Sequence, residues 1–204
     1  MMHGSQALLQ AAKRKVSAIA SNAITMRSIT VGTDMISSVI SLQKARPWYM
    51  SDAEGSNMAD DNAVTLKDLF KKQTVALFGV PAPFTGTCSN EHYPGYKALA
   101  DDFLQAGVDR IVCYSVADPY AMDGWAKALK NDAEKITFMA DPDSLFAKAY
   151  GLDAAYDAVS LGQRSIRFSM VVADGKVEAF HKVDDAVKDA ETLLADVKEW
   201  KDHQ

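Results

Sequence analysis

The chain's 204 residues suffice for one domain with a full hydrophobic core and are too few for two of ordinary size. At 48% hydrophobic and 24% charged residues it is neither disordered nor collagen-like. Its net charge of −5 argues against a nucleic-acid partner, and no apolar run approaches the roughly 20 residues that cross a bilayer, so no membrane partner is expected. The only cysteines, Cys88 and Cys113, exclude a disulfide-stapled scaffold and a four-cysteine metal or iron–sulfur site. The charge is uneven. Residues 1–28 carry Lys13, Arg14, Lys15 and Arg27 and no acid, giving +4, so the remainder carries −9. Leu8, Leu9, Ala12, Val16 and Ile19 recur at helical spacing beside these cations. A basic, Ser-containing, acid-free amphipathic leader has the composition of an organelle transit peptide, and the alternative is a frayed extension or surface helix. A mitochondrial destination is expected, with plastid or cytoplasm as alternatives.

The domain is expected over 29–204. Ile29–Gly32 and Val39–Leu42 have strand-like β-branched content around a polar gap. Residues 46–62, with Arg46-Pro47, Gly55, Ser56, Asp52, Glu54, Asp60 and Asp61, read as a loop long enough to be an insertion. Trp48, Tyr49 and Met50 are expected to pack down at its start. From residue 63 strands and helices alternate. Val75–Val80 is a continuous apolar run, as in a strand buried on both faces. Residues 88–106 read as one helix ended by Gly107, with Thr87 as its N-cap. Arg110–Val116 and Ile136–Met139 are further strands, separated by an amphipathic helix through Met122, Trp125, Ala126 and Leu129. A short helix over 144–150 stops at Gly151. Ile166–Val172 and Lys176–His181 form a hairpin about Asp174-Gly175, and 185–200 is a last helix. Parallel β-α-β-α-β followed by an antiparallel hairpin and a terminal helix predicts an α/β fold. The expected form is a thioredoxin-like sandwich, a central mixed sheet with helices on both faces.

Cys88 falls where the first buried strand gives way to a helix, after Pro81-Ala82-Pro83-Phe84-Thr85-Gly86-Thr87. A helix N-terminus offers unpaired N–H groups and partial positive charge, which favour thiolate over thiol. The local context leaves two readings open, a reactive thiol and a small buried cysteine.

Pro81-x-x-x-Thr85-x-x-Cys88 resembles the active-site motif of the peroxiredoxins. The run from Phe78 through Ser89, with His92-Tyr93-Pro94-Gly95-Tyr96, is similar to the type II (atypical two-cysteine, peroxiredoxin-5-like) branch. The similarity continues through Ile111–Val116, Asp118-Pro119, Trp125–Lys127, Ala140–Pro142 and Arg167–Val172, so it covers residues 29–200 apart from the 46–62 segment. The resemblance implies a thiol peroxidase without cofactor or metal that reduces hydrogen peroxide and organic hydroperoxides. It implies Cys88 as the peroxidatic cysteine, Thr85 holding peroxide and thiolate, Arg167 over the sulfur and Pro81 shielding the pocket. In-line cleavage of an O–O bond builds charge on the leaving oxygen, which fixed donors stabilise. On residue pattern alone Thr85 could equally be a turn residue and Arg167 a surface arginine. However, Ile166, Phe168, Met170 and Val172 alternate on one face, which sets Arg167 and Ser169 on the other. Arg164 does not align with the family's arginine and is read as surface. Ala82-Pro83 stand where the family usually has Gly-Ala, and Gly86 where it has proline; these alter loop stiffness but remove no catalytic side chain.

Cys113, alone, reads as a core cysteine in a buried strand. The resemblance implies that it resolves the Cys88 sulfenic acid by forming a disulfide, with the first helical turn unwinding to bring the sulfurs into reach. Recycling by thioredoxin or glutaredoxin would follow, and direct resolution by glutathione or glutaredoxin is the alternative. A disulfide oxidoreductase lacks its Cys-x-x-Cys pair. A non-catalytic binding or holdase module is the other rival. His3, His92, His181 and His203 show no metal spacing. His92, four residues after Cys88, is read as a surface or packing residue, with tuning of the thiolate as the alternative. The family also implies a homodimer through the active-site face.

Overall fold

The computed structural model describes residues 28–47 and 58–204. The basic leader up to residue 27, and Trp48, Tyr49 and Met50 with the rest of the loop to residue 57, lie outside the described residues.

The elements run β1 (Ser41–Lys44), α1 (Met58–Asn62), β2 (Ala63–Thr65), α2 (Leu66–Phe70), β3 (Thr74–Gly79) and a π-turn (Cys88–His92). There follow α3 (Tyr93–Ala98), α4 (Ala100–Gln105), β4 (Arg110–Ser115), α5 (Pro119–Ala128), β5 (Ile136–Ala140) and α6 (Leu145–Ala149). The chain continues through β6 (Asp153–Tyr156), β7 (Gly162–Ser165), β8 (Phe168–Ala173), β9 (Lys176–Lys182) and α7 (Asp189–Asp202). Seven strands form one mixed sheet in the order β2-β1-β5-β4-β3-β8-β9, while β6 and β7 pair separately. β5, β4 and β3 are parallel, and β8 and β9 close the sheet as the expected antiparallel hairpin. This is the thioredoxin-like sandwich expected from the order of elements.

Each strand sends alternate residues to opposite faces, so the sheet separates two cores. On one face Ala76, Phe78, Ile111 and Cys113 pack under α3, α4, α5 and α7, through Tyr93, Tyr96, Phe103, Trp125 and Leu193. On the other, Leu77, Val112, Tyr114, Met139 and Phe168 pack under α2 and α6, through Leu69, Phe70 and Phe146.

Several local expectations are corrected. Ile29–Gly32 is not a strand. Gly32 takes φ +87° and a turn closes from Thr33 N–H to the Thr30 carbonyl, so the segment crosses β9 through isolated hydrogen bonds. The 46–62 loop ends in helix α1 rather than irregular chain. The single helix over 88–106 is three pieces. Tyr93 N–H bonds the Cys88 carbonyl in a π-turn, Pro94 has no N–H to continue an α-ladder, and Leu99 (φ −98°, ψ 9°) separates α3 from α4. Thr87 is not the N-cap: it is itself helical and makes no side-chain cap bond, because the helical turn already opens at Gly86 and the Thr85 carbonyl accepts from Ser89 N–H. The last helix begins at Asp189, since Asp185 first takes the N–H groups of Val187 and Lys188 into a turn. Strand β8 starts at Phe168, so Ile166 and Arg167 form its two-residue link to β7.

Candidate active site

Strand β3 is buried on both faces and leads out through Val80 and Pro81. Ser115 Oγ, at the end of neighbouring β4, donates to the carbonyls of Val80 (3.0 Å) and Pro81 (3.4 Å), so the sheet itself fixes the start of the loop. Pro81 and Ala82 are buried; Phe84 turns out to solvent with φ +61°. Thr85 Oγ1 donates back to the Ala82 carbonyl at 2.9 Å, which stiffens the loop and leaves the hydroxyl's lone pairs open to accept. The proline usual at Gly86 is not missed by packing, for a Cβ there would meet nothing within 4 Å.

Cys88 opens the π-turn and is 1% exposed. Arg167 reaches it from the β7–β8 link: its Nη2 donates to Cys88 Sγ at 3.3 Å. The alternation read from sequence puts Arg167 and Ser169 on this face, and both engage groups there. Arg167 Nη1 lies 3.0 Å from His92 Nδ1. His92 is wholly buried, its ring set edge-on to Phe78 and to Tyr96, and its Nε2 is 2.8 Å from Asp189 Oδ2. Asp189, in the first turn of α7, also accepts from Tyr96 OH at 2.5 Å and Ser169 Oγ at 2.7 Å. Burial lowers the His92 pKa below its ordinary 6.5 despite the pull of Asp189. Burial pushes the Asp189 carboxyl the other way, but hydrogen bonds from His92, Ser169 and Tyr96 outweigh it and hold the carboxyl below its ordinary range.

The turn carrying Cys88 is also tied to α5, where Trp125 Nε1 donates to Ser89 Oγ at 3.0 Å. Cys113 faces the same core from the middle of β4, fully buried between Phe78 of β3 and Phe138 of β5. Burial, with Cys88 nearby, raises the Cys113 thiol's pKa well above the ordinary value. Tyr93 lies against it, pushed up to about 12 by its own burial and then by Cys113. Both cysteines are free thiols.

The structure therefore brings together Cys88, Arg167 and the Pro81–Thr85 loop, with Cys113 beneath. Sequence reasoning did not find Asp189, and it favoured a surface or packing role for His92. The His92 signal was its place one turn beyond Cys88; Asp189 gave none, being indistinguishable from an ordinary first-turn acid. Arg164, read as surface, is half-buried, because the β6–β7 hairpin folds over the end of β4 and Arg164 donates to the carbonyls of Val116 (2.5 Å) and Leu161 (2.8 Å). Among the described residues no group of three or more His, Cys, Asp or Glu side chains could hold a metal ion, and no helix is long and apolar enough to cross a membrane.

Residues 49–194 match the Redoxin family. The chain is 42% identical over 168 residues to "Peroxiredoxin-2F, mitochondrial" of Arabidopsis thaliana, covering 81% of this chain and 80% of that protein. Among solved structures it is similar to reduced Prx3 from Vibrio vulnificus, with 32% identity and a TM-score of 0.69 over 83% of this chain and 99% of that one. The same Vibrio protein in complex with H2O2 matches at 33% identity and the same TM-score and coverage.

Proposed function

The chain belongs to the Redoxin family as a type II, peroxiredoxin-5-like peroxiredoxin, a thiol peroxidase, and on that premise we propose that Cys88 is its peroxidatic residue, Cys113 its resolving one and thioredoxin or glutaredoxin its reductant. The substrates are hydrogen peroxide and alkyl hydroperoxides. The observation that carries this reading is the 3.3 Å contact of Arg167 Nη2 with Cys88 Sγ at the start of a helical turn.

The Cys88 thiolate attacks the terminal peroxide oxygen and the O–O bond breaks, giving Cys88–SOH and an alkoxide or hydroxide that takes a proton. Arg167 already donates to the sulfur, and the charge leaving it develops on oxygens within the guanidinium's reach. Thr85 Oγ1, held by the Ala82 carbonyl, accepts from the peroxide O–H. Pro81, fixed by Ser115, walls the pocket and excludes water.

Cys113 sulfur then displaces hydroxide from Cys88–SOH, forming the disulfide and releasing water, and two thiol equivalents from the reductant restore both cysteines. A cysteine buried in a central strand cannot do this in place, so the π-turn opens, breaking the Trp125–Ser89 bond. The raised pKa and burial of Cys113 favour a second reading in which glutathione or glutaredoxin resolves Cys88 directly. The mitochondrial relative and the basic, acid-free leader support a mitochondrial destination for residues 29–204 after removal of 1–28. Exposed Phe84, on the loop before Cys88, supports a homodimer through this face.

The test is peroxide consumption with thioredoxin and glutaredoxin systems side by side, for wild type, Cys88→Ser and Cys113→Ser. Cys88→Ser loses activity. Wild-type turnover without Cys88 refutes the assignment. Peptide mapping after one equivalent of peroxide separates the two resolutions: a Cys88–Cys113 disulfide supports the first, and a Cys88 glutathione adduct with Cys113 free supports the second.

A further inference from the structure

Arg167 can hold the Cys88 sulfur only if something holds Arg167. A guanidinium is a planar fork of donors with no acceptor, so its position is set by the acceptors it meets. One is Cys88 Sγ, the group it serves, at Nη2; the other is His92 Nδ1, at Nη1. Because the guanidinium can only donate, Nδ1 must offer its lone pair. The proton of the neutral imidazole then sits on Nε2, where it donates to Asp189 Oδ2. Asp189 is itself fixed by Tyr96 from α3 and Ser169 from β8. The close approach of Gly95 in α3 to Ala190 in α7, where an added Cβ would come within 3.1 Å, brings the start of α7 against α3.

We propose that Asp189 and His92 are positioning residues for Cys88 chemistry: Asp189 selects the Nε2–H tautomer of His92, and the Nδ1 lone pair so exposed anchors Arg167 over the sulfur. The line Cys88–Arg167–His92–Asp189 runs from the surface-facing thiol loop to a helix more than a hundred residues later in the chain. It has the logic of a catalytic triad in which a carboxylate sets a histidine's tautomer without touching the substrate. With Cys88 as a thiol the charges also balance. Asp189 supplies the carboxylate that a half-buried arginine requires, and the neutral imidazole between them carries hydrogen bonds in both directions without adding charge. The titratable groups facing His92 belong to this line or are bound to it: Cys88 in its own turn, Arg167 in the β7–β8 link, Asp189 on α7, and Tyr96 on α3, which donates to Asp189. The other neighbours, Phe78 of β3 and Ser169 of β8, bear no charge.

Replacing Asp189 by an apolar side chain of similar shape removes the acceptor that fixes the tautomer. In Asp189→Leu nothing accepts from Nε2–H, so the proton is no longer held away from Nδ1 and Arg167 loses its fixed acceptor. His92→Gln tests the converse. A glutamine amide spans about the same distance as the two ring nitrogens, so its oxygen can accept from Arg167 and its NH2 can donate to Asp189. His92→Leu can do neither.

The experiment follows iodoacetamide alkylation of Cys88, read at its own peptide by mass, from about pH 5 to 9, alongside the second-order rate of Cys88 with hydrogen peroxide. In Asp189→Leu and His92→Leu the alkylation profile moves to higher pH, and the peroxide rate falls about 10- to 100-fold, the range for losing a hydrogen bond to a charged group. In His92→Gln both return to within about threefold of wild type. A wild-type profile and rate in Asp189→Leu overturn the proposal, as does a glutamine variant no better than leucine at position 92. If circular dichroism shows that Asp189→Leu does not fold, the His92 pair decides. The proposal rests on the peroxidase reading, yet alkylation requires no turnover. A protein that consumes no peroxide but shows these shifts would refute that reading and leave the positioning line standing.

Discussion

The two faces of the sheet each bury one aspartate beneath a tyrosine hydroxyl, and they use it differently. On the α3/α7 face Asp189 accepts from Tyr96, Ser169 and His92, and through His92 it meets a cation. On the α2/α6 face Asp141 accepts from Tyr114 OH at 2.7 Å and from the N–H groups of Leu145 and Ala147 at the start of α6. No cation answers Asp141 in that set, and burial raises its pKa although every one of its hydrogen bonds favours the carboxylate. Asp189 is held low. Strand β4 feeds both faces from adjacent residues, Cys113 toward Asp189's side and Tyr114 toward Asp141's. The same buried pair thus serves as a helix anchor where only dipoles surround it, and as part of a charged relay where an arginine and a histidine do.

The contrast breaks most visibly at Asp141. Asp141→Ala leaves Tyr114 OH and two α6 N–H groups without their acceptor in a dry site. The expected cost is about 3 kcal/mol, read as a lower urea midpoint. The protein that remains folded should react with peroxide within about twofold of wild type, because nothing on that face touches Cys88. If Asp141→Ala lost peroxide reactivity to the extent expected of Asp189→Leu, the two faces would not be separable.

A smaller effect is expected at Gly79, where the faces meet. It pairs with Phe168 across β3 and β8, and a Cβ there would run into the Phe168 ring. Phe168 packs on the α2/α6 face but directly follows Arg167. Gly79→Ala should therefore cost about 2 kcal/mol from overpacking, and should also slow the peroxide reaction, unlike Asp141→Ala. Loss of stability with an unchanged peroxide rate would mean that the Phe168 position is not transmitted to Arg167.

The five central and hairpin strands were legible in the sequence, because a buried run such as Val75–Val80 and a turn such as Asp174-Gly175 are strong local signals. The site of Pro81, Thr85 and Cys88 was legible through the resemblance of their spacing to the peroxiredoxin motif, and the face of Arg167 through the alternation of its neighbours. What escaped was short or non-local. β2 is three half-buried residues at the sheet edge, and β1 runs two residues beyond the Val39–Leu42 stretch whose content is strand-like. β6 and β7, Asp153–Tyr156 and Gly162–Ser165, are mainly polar and pair only with each other. The π-turn arises from a missing N–H at Pro94 that also suits an ordinary helix start. His92 and Asp189 are 97 positions apart, and only folding of α7 over α3 makes them partners.

The smallest expected effect is in the pH dependence of stability, where the two faces should pull in opposite directions. His92 has its pKa lowered by burial, so between its folded value and 6.5 the unfolded chain binds a proton that the folded chain excludes. That contribution to stability is complete above 6.5 and is lost as pH falls below it. Asp189, held below 3.8, acts in the same sense: its contribution is present above 3.8 and lost as pH falls through the folded value. Asp141, raised by burial, keeps its proton in the folded state at pH values where the unfolded chain has released it. Its contribution is therefore present below 3.8 and lost as pH rises through the folded value. Each group can change the slope by at most one proton, about 1.4 kcal/mol per pH unit. Urea midpoints against pH should show a flatter acid decline just below 6.5 in His92→Gln, since the proton-excluding ring is gone. In Asp141→Asn, which removes the opposing contribution, the decline toward pH 3.8 should steepen. Variant curves that merely run parallel to wild type would show that neither face titrates with folding, and that the charged relay and the helix anchor differ in chemistry but not in proton linkage.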